Sequence, residues 1–209
     1  MLTALFADIH ANREALAACL ADAERAGADR YVFLGDLVGY GPDPVWVVER
    51  VAALVGDGAL AIQGNHDAAA AAEADTLAPL ARRAMAWTRE RLDAQHRAFL
   101  ASLPLDLHED DRLYVHGSAS APEDWIYLLG PREAYHCFRA TAQRVTFCGH
   151  THVPARAGGW PADVAAGAAA LDRRAGGGRP AARPQPGGLL RPVRNPIEST
   201  DLCQGAVRR

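Results

Sequence analysis

The chain has 209 residues, of which 49% are hydrophobic, and its formal net charge is −3. This length and apolar content suffice for one domain with a sizeable core. The slightly acidic balance argues against a dedicated nucleic-acid-binding protein. The first ten residues lack the basic start of a signal peptide, and no apolar run approaches the roughly 20 residues of a membrane span. We therefore expect a cytoplasmic protein with no membrane partner and no dedicated nucleic-acid partner.

Short apolar runs alternate with helical patterns along the first 150 residues. In chain order the pattern predicts a strand at Leu2–Ala7, a helix at Asn12–Ala26, a strand at Tyr31–Leu34, a helix at Pro44–Val55, a strand at Leu60–Gln63, helices at Thr76–Leu92 and His96–Ser102, a strand at Arg112–His116, a helix at Pro131–Ala142 and a strand at Arg144–Cys148. Strands that alternate with helices are typical of an α/β fold with a largely parallel central sheet.

Five short polar motifs follow the predicted strands. They are Asp8-Ile9-His10, Gly35-Asp36, Gly64-Asn65-His66-Asp67, His116-Gly117 and Gly149-His150-Thr151-His152. The carboxyl ends of strands in an open α/β sheet form the edge where ligands bind, so five loops could present these side chains to one place. Side chains at positions i and i+2 of an extended segment point the same way, as in Asp8 with His10 and His150 with His152.

The candidate ligands offer nitrogen and oxygen atoms. They are Asp8, His10, Asp36, Asn65, His116, His150 and His152. None of the four cysteines forms a C-x-x-C pair, so the sequence does not predict a thiolate zinc site. A mixed nitrogen and oxygen set suits Mn, Fe, Co, Ni or Zn, and the sequence does not choose among them.

Taken in order, these motifs resemble those of the calcineurin-like metallophosphoesterases. The stretch Gly35-Asp36-Leu37-Val38-Gly39-Tyr40-Gly41-Pro42 is similar to the small bacterial and archaeal phosphodiesterase branch. The resemblance covers roughly residues 1–157. It implies an α/β fold, a four-layer sandwich of two mixed β-sheets flanked by helices.

The resemblance also implies roles for these residues. Asp8, His10, Asp36 and His152 would hold one divalent ion, and Asp36 would bridge to a second ion held by Asn65, His116 and His150. Manganese is the first expectation for both ions. A hydroxide on the ions would attack phosphorus, and His66, oriented by Asp67, would protonate the leaving group. General acid help of this kind is worth about 10²–10⁴-fold.

Departures from the family bear on the substrate. Ser/Thr phosphatases of this superfamily carry Asp-Arg where this chain has Gly39-Tyr40, and that Arg grips a phosphomonoester. The absence of that Arg favours phosphodiesters. Arg13 is one candidate for binding phosphate in its place. Trp125 and Tyr127, in the loop after His116, are candidates for lining the site.

Several alternatives stay open. One alternative is a hydrolase of phosphomonoesters or dinucleoside polyphosphates that uses the same site. Another is a non-catalytic metal-binding scaffold, which is disfavoured because every ligand position is filled and His66 is present. We expect a small phosphate ester as substrate, and the oligomeric state is unknown from the sequence.

The composition changes after about residue 157. From Arg173 onwards the chain has eight Arg and two acidic residues, and Ala, Gly and Pro are abundant. Such a tail, residues 158–209, is expected to be disordered. The family continues with a Gly-Gln-Pro-Arg-Asp stretch and closing strands that this sequence lacks. Codons that encode such a stretch give Arg179–Val193 when translated out of frame, so a frameshift between Pro154 and Arg179 is our hypothesis. The closing strands are therefore expected to be missing or altered.

Overall fold

A computed structural model describes residues 2–72, 77, 79–153, 155–157, 169–172 and 206–208. The strands are β1 (Leu2–Phe6), β2 (Arg30–Phe33), β3 (Leu60–Ala61), β4 (Asp106–Glu109), β5 (Arg112–Val115), β6 (Val145–Cys148), β7 (Ala155–Ala157), β8 (Ala169–Asp172) and β9 (Ala206–Arg208). The helices are α1 (Arg13–Arg25), α2 (Pro44–Gly56), α3 (Asn65–Ala71), α4 (Pro79–Arg91), α5 (Ala94–Ser102) and α6 (Pro131–Ala140), with a 3₁₀ turn at Pro122–Asp124.

These strands form two mixed sheets. The first sheet has the order β3-β2-β1-β9, and the second has the order β4-β5-β6-β8-β7. In the first sheet β1, β2 and β3 are parallel and β9 is antiparallel to β1. In the second sheet β5 and β6 are parallel, and so are β7 and β8, whereas β4 is antiparallel to β5 and β8 is antiparallel to β6. The single, largely parallel sheet expected from the alternation is therefore wrong, and the two-sheet architecture implied by the resemblance is confirmed.

Three apolar clusters separate four layers. Alternate residues of β1 point to opposite faces, so Phe6 packs towards the α1 and α2 side while Leu5 packs between the sheets. Tyr114 and Phe147 of the second sheet meet Leu5 in that central layer. A third cluster covers the outer face of the second sheet beneath α6 and includes Cys137. Strands buried on both faces read as continuous apolar runs, which explains why β1 has no polar alternation.

The helix boundaries follow ordinary capping chemistry. The side chain of Asn12 accepts a hydrogen bond from the Ala15 N–H at 3.0 Å and caps α1. Gly27, at φ +72°, follows the end of that helix. Pro44 occupies the first turn of α2, where its missing N–H is harmless. The sequence missed α3, which is too short to display a period, and β4, which has no apolar run.

Two segments of the tail lie in the described part of the chain. Strand β8 pairs with β6, and strand β9 pairs with β1. Where the sequence predicted closing strands that are missing or altered, these segments add a strand to each sheet. The rest of residues 158–209 lies outside the described residues. The domain boundary near residue 157, the expected disorder and the frameshift therefore stay predictions.

None of the helices in the described part of the chain is long and apolar enough to cross a membrane. The cytoplasmic location stays a prediction.

Candidate metal centre

The loops that follow β1, β2, β3, β5 and β6 bring all seven predicted ligands together. Three overlapping groups have ligand atoms within 4.8 Å of one another: Asp8 with His10 and His152, His10 with Asp36 and His66, and Asp36 with His116 and His150. Asn65 joins the last group, because its Oδ1 atom lies 3.2 Å from His116 Nε2. The first group contains three of the four residues in the first ligand set that the resemblance implies, and the last group, with Asn65, contains all four residues of the second.

Backbone conformation at the site is unusual. Asp8, His10, Asp36, His150 and His152 all have φ between 49° and 70°. The left-handed region costs an L-residue roughly 1–2 kcal/mol. Five of the seven candidate ligands thus hold a disfavoured backbone, which the surrounding hydrogen bonds must maintain. Strain concentrated in this way is typical of functional sites.

His116 directs its Nε2 atom at two acceptors. Its Nδ1 atom lies 2.7 Å from the carbonyl oxygen of Leu34, which can only accept, so Nδ1 carries the proton. The Nε2 atom then faces Asp36 Oδ2 at 3.4 Å and Asn65 Oδ1 at 3.2 Å. When the His116 ring is neutral, its Nε2 atom, Asp36 Oδ2 and Asn65 Oδ1 are three hydrogen-bond acceptors without a donor between them. Either an added proton or a cation can satisfy them.

His10 repeats this arrangement. Its Nδ1 atom donates to the carbonyl oxygen of Val38 at 3.1 Å, and its Nε2 atom faces His152 Nε2 at 3.0 Å and Asp36 Oδ2 at 3.7 Å. Histidines that bind metals commonly donate their other ring N–H to a backbone carbonyl in this way. His150 Nε2 is also buried and has no hydrogen-bond partner among the described residues. An unsatisfied buried nitrogen costs about 1–3 kcal/mol. The residues present therefore fit bound divalent ions.

The charges of the metal-free cluster are strongly perturbed. Burial lowers the pKa of His116, but the Asp36 carboxylate more than offsets this and raises that pKa to about 9. Burial raises the pKa of Asp36, yet His116 overcomes it and holds the pKa well below its usual range. Burial and the charge of His116 lower the pKa of His150 to about 4. Bound cations would replace the proton that this carboxylate otherwise draws onto His116.

Asp8 ties two of the loops together. Its two carboxylate oxygens accept from the backbone N–H of His150 at 3.0 and 3.1 Å. The same carboxylate lies 3.5 Å from His152 Nε2, and this contact raises the pKa of His152. A single residue at the end of β1 thus positions the loop that follows β6.

His66 and Asp67 occupy the first turn of α3. The main-chain N–H of His66 donates to Asp36 Oδ1 at 2.8 Å, whereas its ring Nδ1 is buried without a partner in the described part of the chain. Burial lowers the pKa of His66. The ring lines a cavity of about 220 Å³ beside the ligands. His66 therefore lies where it could either bind an ion or exchange a proton with a ligand.

Asp67 is fully buried and serves the backbone. Its Oδ1 atom accepts from the N–H groups of Leu37 and Val38 at 2.9 and 3.2 Å, and its Oδ2 atom accepts from Gly64 at 3.0 Å. Burial raises the pKa of Asp67 to about 7. These bonds hold the loop after β2 against α3. That Asp67 orients His66 stays a prediction. The structure connects the two residues through α3 and through the loop after β2, whose N–H groups donate hydrogen bonds to Asp67.

Two aromatic residues line the cavity together with the ligands. The Tyr127 ring stacks on His150 with centroids 3.8 Å apart, as the sequence allowed. Tyr40, which the sequence analysis did not assign to the site, packs on His66 with centroids 4.6 Å apart. The sequence feature that could have pointed to Tyr40 is its position shortly after the candidate ligand Asp36. Trp125 meets the edge of His116, with centroids 5.9 Å apart. Arg13 lies on the surface of α1 over Trp46 and is not among the described lining residues.

Comparison with known proteins now adds to this geometry. Residues 1–167 match the calcineurin-like phosphoesterase superfamily domain. The chain belongs to this superfamily. Membership and the metal-binding geometry together support a phosphoester hydrolase at the level of the superfamily.

Individual relatives agree with that assignment. An uncharacterized protein of Methanocaldococcus jannaschii is 33% identical over 159 residues, which cover 73% of this chain and 63% of the relative. The crystal structure of a metallophosphoesterase from Sphaerobacter thermophilus is 35% identical, covers 82% of this chain and 75% of its own, and has a TM-score of 0.69. A hypothetical protein of Pyrococcus horikoshii, 21% identical with a TM-score of 0.65, covers 81% of this chain and 75% of its own and shares the fold.

Proposed function

We propose that the chain is a dinuclear metal-dependent phosphodiesterase. The observation that carries this proposal is the convergence of histidine ring nitrogens and carboxylate oxygens in groups on either side of Asp36. Asp8, His10, Asp36 and His152 would hold one ion. Asn65, His116 and His150 would hold the other, with Asp36 shared. We expect manganese, and the same donors suit Fe, Co, Ni or Zn.

Two bound divalent ions would supply charge neutralisation and nucleophile activation for an in-line displacement at phosphorus. The protein's own residues hold and orient the groups around that reaction. The shared Asp36 is fixed by the His66 N–H at 2.8 Å, so its second oxygen stays directed at the histidines. The backbone carbonyls of Leu34 and Val38 fix the tautomers of His116 and His10.

His66 is the proposed general acid. The Nδ1 atom of His66 is buried and has no hydrogen-bond acceptor among the described residues, so we expect the ring proton on Nε2. The ring lines the cavity where the substrate would bind. From Nε2 the proton can pass to the departing alkoxide. Such assistance contributes about 10²–10⁴-fold to a rate.

A diester is favoured over a monoester by the charge of the site. No Arg or Lys is among the described residues that line the cavity. A phosphomonoester brings one more negative charge than a diester, and a described lining without Arg or Lys offers that charge no permanently cationic side chain beside the ions. Small phosphate diesters are therefore the proposed substrates.

Hydrolysis of bis-p-nitrophenyl phosphate and p-nitrophenyl phosphate, with and without Mn²⁺, tests the proposal. The purified chain is compared with His66→Ala and with His108→Ala, whose ring lies on β4 and is not among the described residues of the cavity. We expect Mn²⁺-dependent hydrolysis that is faster on the diester, falls about 10²-fold or more in His66→Ala and is unchanged in His108→Ala.

Metal content, measured on the same samples, separates the roles of His66. Two ions retained with a slow rate support the general acid, whereas loss of an ion shows that His66 is a ligand. A folded, metal-loaded chain without activity on either ester would refute the proposal and favour a scaffold. Faster hydrolysis of the monoester would favour the phosphomonoesterase alternative.

A further inference from the structure

Two exposed aromatic side chains line the cavity at the metal centre. Among the described residues six large hydrophobic side chains are exposed: Tyr40, Ile126, Tyr127, Leu129, Tyr135 and Val153. All except Tyr135 lie in the loops that carry candidate ligands, after β2, β5 and β6, and Tyr40 and Tyr127 also line the cavity. Isolated exposed apolar residues are ordinary, whereas exposed rings that line a cavity are candidates for contact with a ligand.

Tyr127 offers one free ring face at this site. Its other face stacks on His150, with an interplanar angle of 23°, and the residue remains 51% exposed. The ring therefore cannot turn away without losing that contact. Tyr127 forms a rigid aromatic wall directly beside one of the two ligand groups.

Tyr40 forms a second wall, on the side of His66. Its ring packs against His66 and His10, with centroids 4.6 and 4.9 Å apart, and the residue is 54% exposed. Because His66 is the proposed proton donor, Tyr40 flanks the side from which the leaving group departs. Tyr127, at His150, then flanks the ester group that stays on phosphorus.

The chemistry of this wall points to a flat, neutral, aromatic group. The described lining contains two phenols and neither Arg nor Lys, the side chains that would select a second anionic group. The cavity has a volume of about 220 Å³, below the roughly 300–1,000 Å³ of typical ligand sites. Because the cavity is small, we expect it to hold one flat group beside the phosphoryl group. Stacking on an aromatic side chain is the usual way in which proteins hold such rings.

We propose that Tyr127 is a specificity-determining residue, on whose free face the aromatic part of the retained ester group stacks. The substrate class is then phosphodiesters whose retained half is an aryl or nucleoside group. This inference rests on the proposed phosphodiesterase activity and adds which diesters the site selects.

Two diesters with the same leaving group test it. Bis-p-nitrophenyl phosphate retains an aryl group after cleavage, whereas methyl p-nitrophenyl phosphate retains a methyl group. The measured quantity is the ratio of their kcat/KM values in each variant relative to the unmodified chain. Intrinsic reactivity and any general damage to the metal centre affect both substrates, so they cancel in this comparison.

The variants are Tyr127→Ala, Tyr127→Leu and Tyr127→Phe, with Tyr135→Ala as the matched control on an exposed tyrosine outside the site. We expect the ratio to fall about 5-fold or more in the Ala and Leu variants, from the lower end of aromatic stacking strength. It should stay unchanged in Tyr127→Phe and Tyr135→Ala, and the Leu variant keeps the test valid should the Ala variant fold poorly.

Failure of the inference and failure of the function are distinguishable. A ratio that is unchanged in Tyr127→Leu, while both diesters are hydrolysed, overturns the stacking role and leaves the phosphodiesterase standing. If the ratio of kcat/KM values also falls in Tyr127→Phe, the selectivity comes from the phenol hydroxyl, and the stacking role is again overturned. If neither diester is hydrolysed by the folded, metal-loaded chain, the proposed function itself fails.

Discussion

Gly39 is the position where the smallest change should disturb the proposed acid. Its φ is +92°, and a Cβ atom added there would lie 2.3 Å from His66 Nδ1. Favourable contacts between non-bonded heavy atoms begin near 3.5 Å, so the Gly39→Ala variant requires a displacement of about 1 Å. The hydrogen bonds of Asp67 fasten this loop to the helix that bears His66, so the two cannot separate freely.

The expected loss follows from that displacement. A misplacement of about 1 Å in a catalytic group can lower a rate roughly 10²-fold. The alanine also adds about 1–2 kcal/mol of backbone strain at positive φ, which destabilises the fold without bearing on catalysis. Gly58→Ala supplies the control, because Gly58 has φ +101° and nothing within 4 Å of the added atom.

The assay compares kcat on bis-p-nitrophenyl phosphate, the metal content and the melting temperature of both variants. We expect both variants to lose stability through backbone strain, Gly39→Ala the more because of its added contact, but a fall of about 10²-fold in kcat only for Gly39→Ala. Equal kcat values in the two folded, metal-loaded variants would refute the argument that Gly39 positions His66.

Three further predictions concern the metal, the buried carboxylate and pH. Removal of metal with a chelator should abolish activity, and Mn²⁺ at about 100 times its Kd should restore it. The bound ion should stabilise the fold by about 2.7 kcal/mol, which corresponds to a rise of about 5–10 °C in melting temperature. An unchanged melting temperature would contradict a bound ion. Asp67→Asn loses at least one backbone hydrogen bond to a buried carboxylate, so urea unfolding should show a loss of about 1–3 kcal/mol, against none in the exposed Asp57→Asn. Arg144, at 2.5 Å, holds the pKa of the Asp111 carboxyl below its usual range. Because a lowered carboxyl pKa stabilises the fold only above the ordinary value, this contribution should disappear as pH falls, and an NMR titration of Arg144→Gln should show the Asp111 pKa rising towards its usual range; an unchanged titration would refute the pairing.

The sequence predicted the strand ends better than the arrangement of strands. Apolar runs located β1, β2, β3, β5 and β6, because strands buried on both faces carry continuous hydrophobic residues. It could not distribute them between two sheets, since pairing depends on contacts between residues far apart in the chain. The strand β4 was missed because its sequence, Asp-Leu-His-Glu, has no apolar run, and the seven-residue helix α3 was missed because it is too short to display a period.

Within the site, residue types and their order identified the seven candidate ligands, His66 and Asp67. The tyrosine walls could not be assigned with the same certainty, because an exposed Tyr40 or Tyr127 has no distinctive spacing. Only packing against His66 and His150 shows that these rings belong to the cavity.

The sequence by itself determined the set of candidate donor atoms, because these nitrogen and oxygen atoms lie in short motifs at the ends of apolar runs. The tertiary structure alone decided how those donors meet. Candidate ligands far apart in the chain, such as Asp8 and His150 at a separation of 142 residues, are joined directly by hydrogen bonds. Their protonation states depend on carbonyls and carboxylates that other loops supply. Such contacts arise from the closure of the two sheets on one another, which no local pattern of residues encodes.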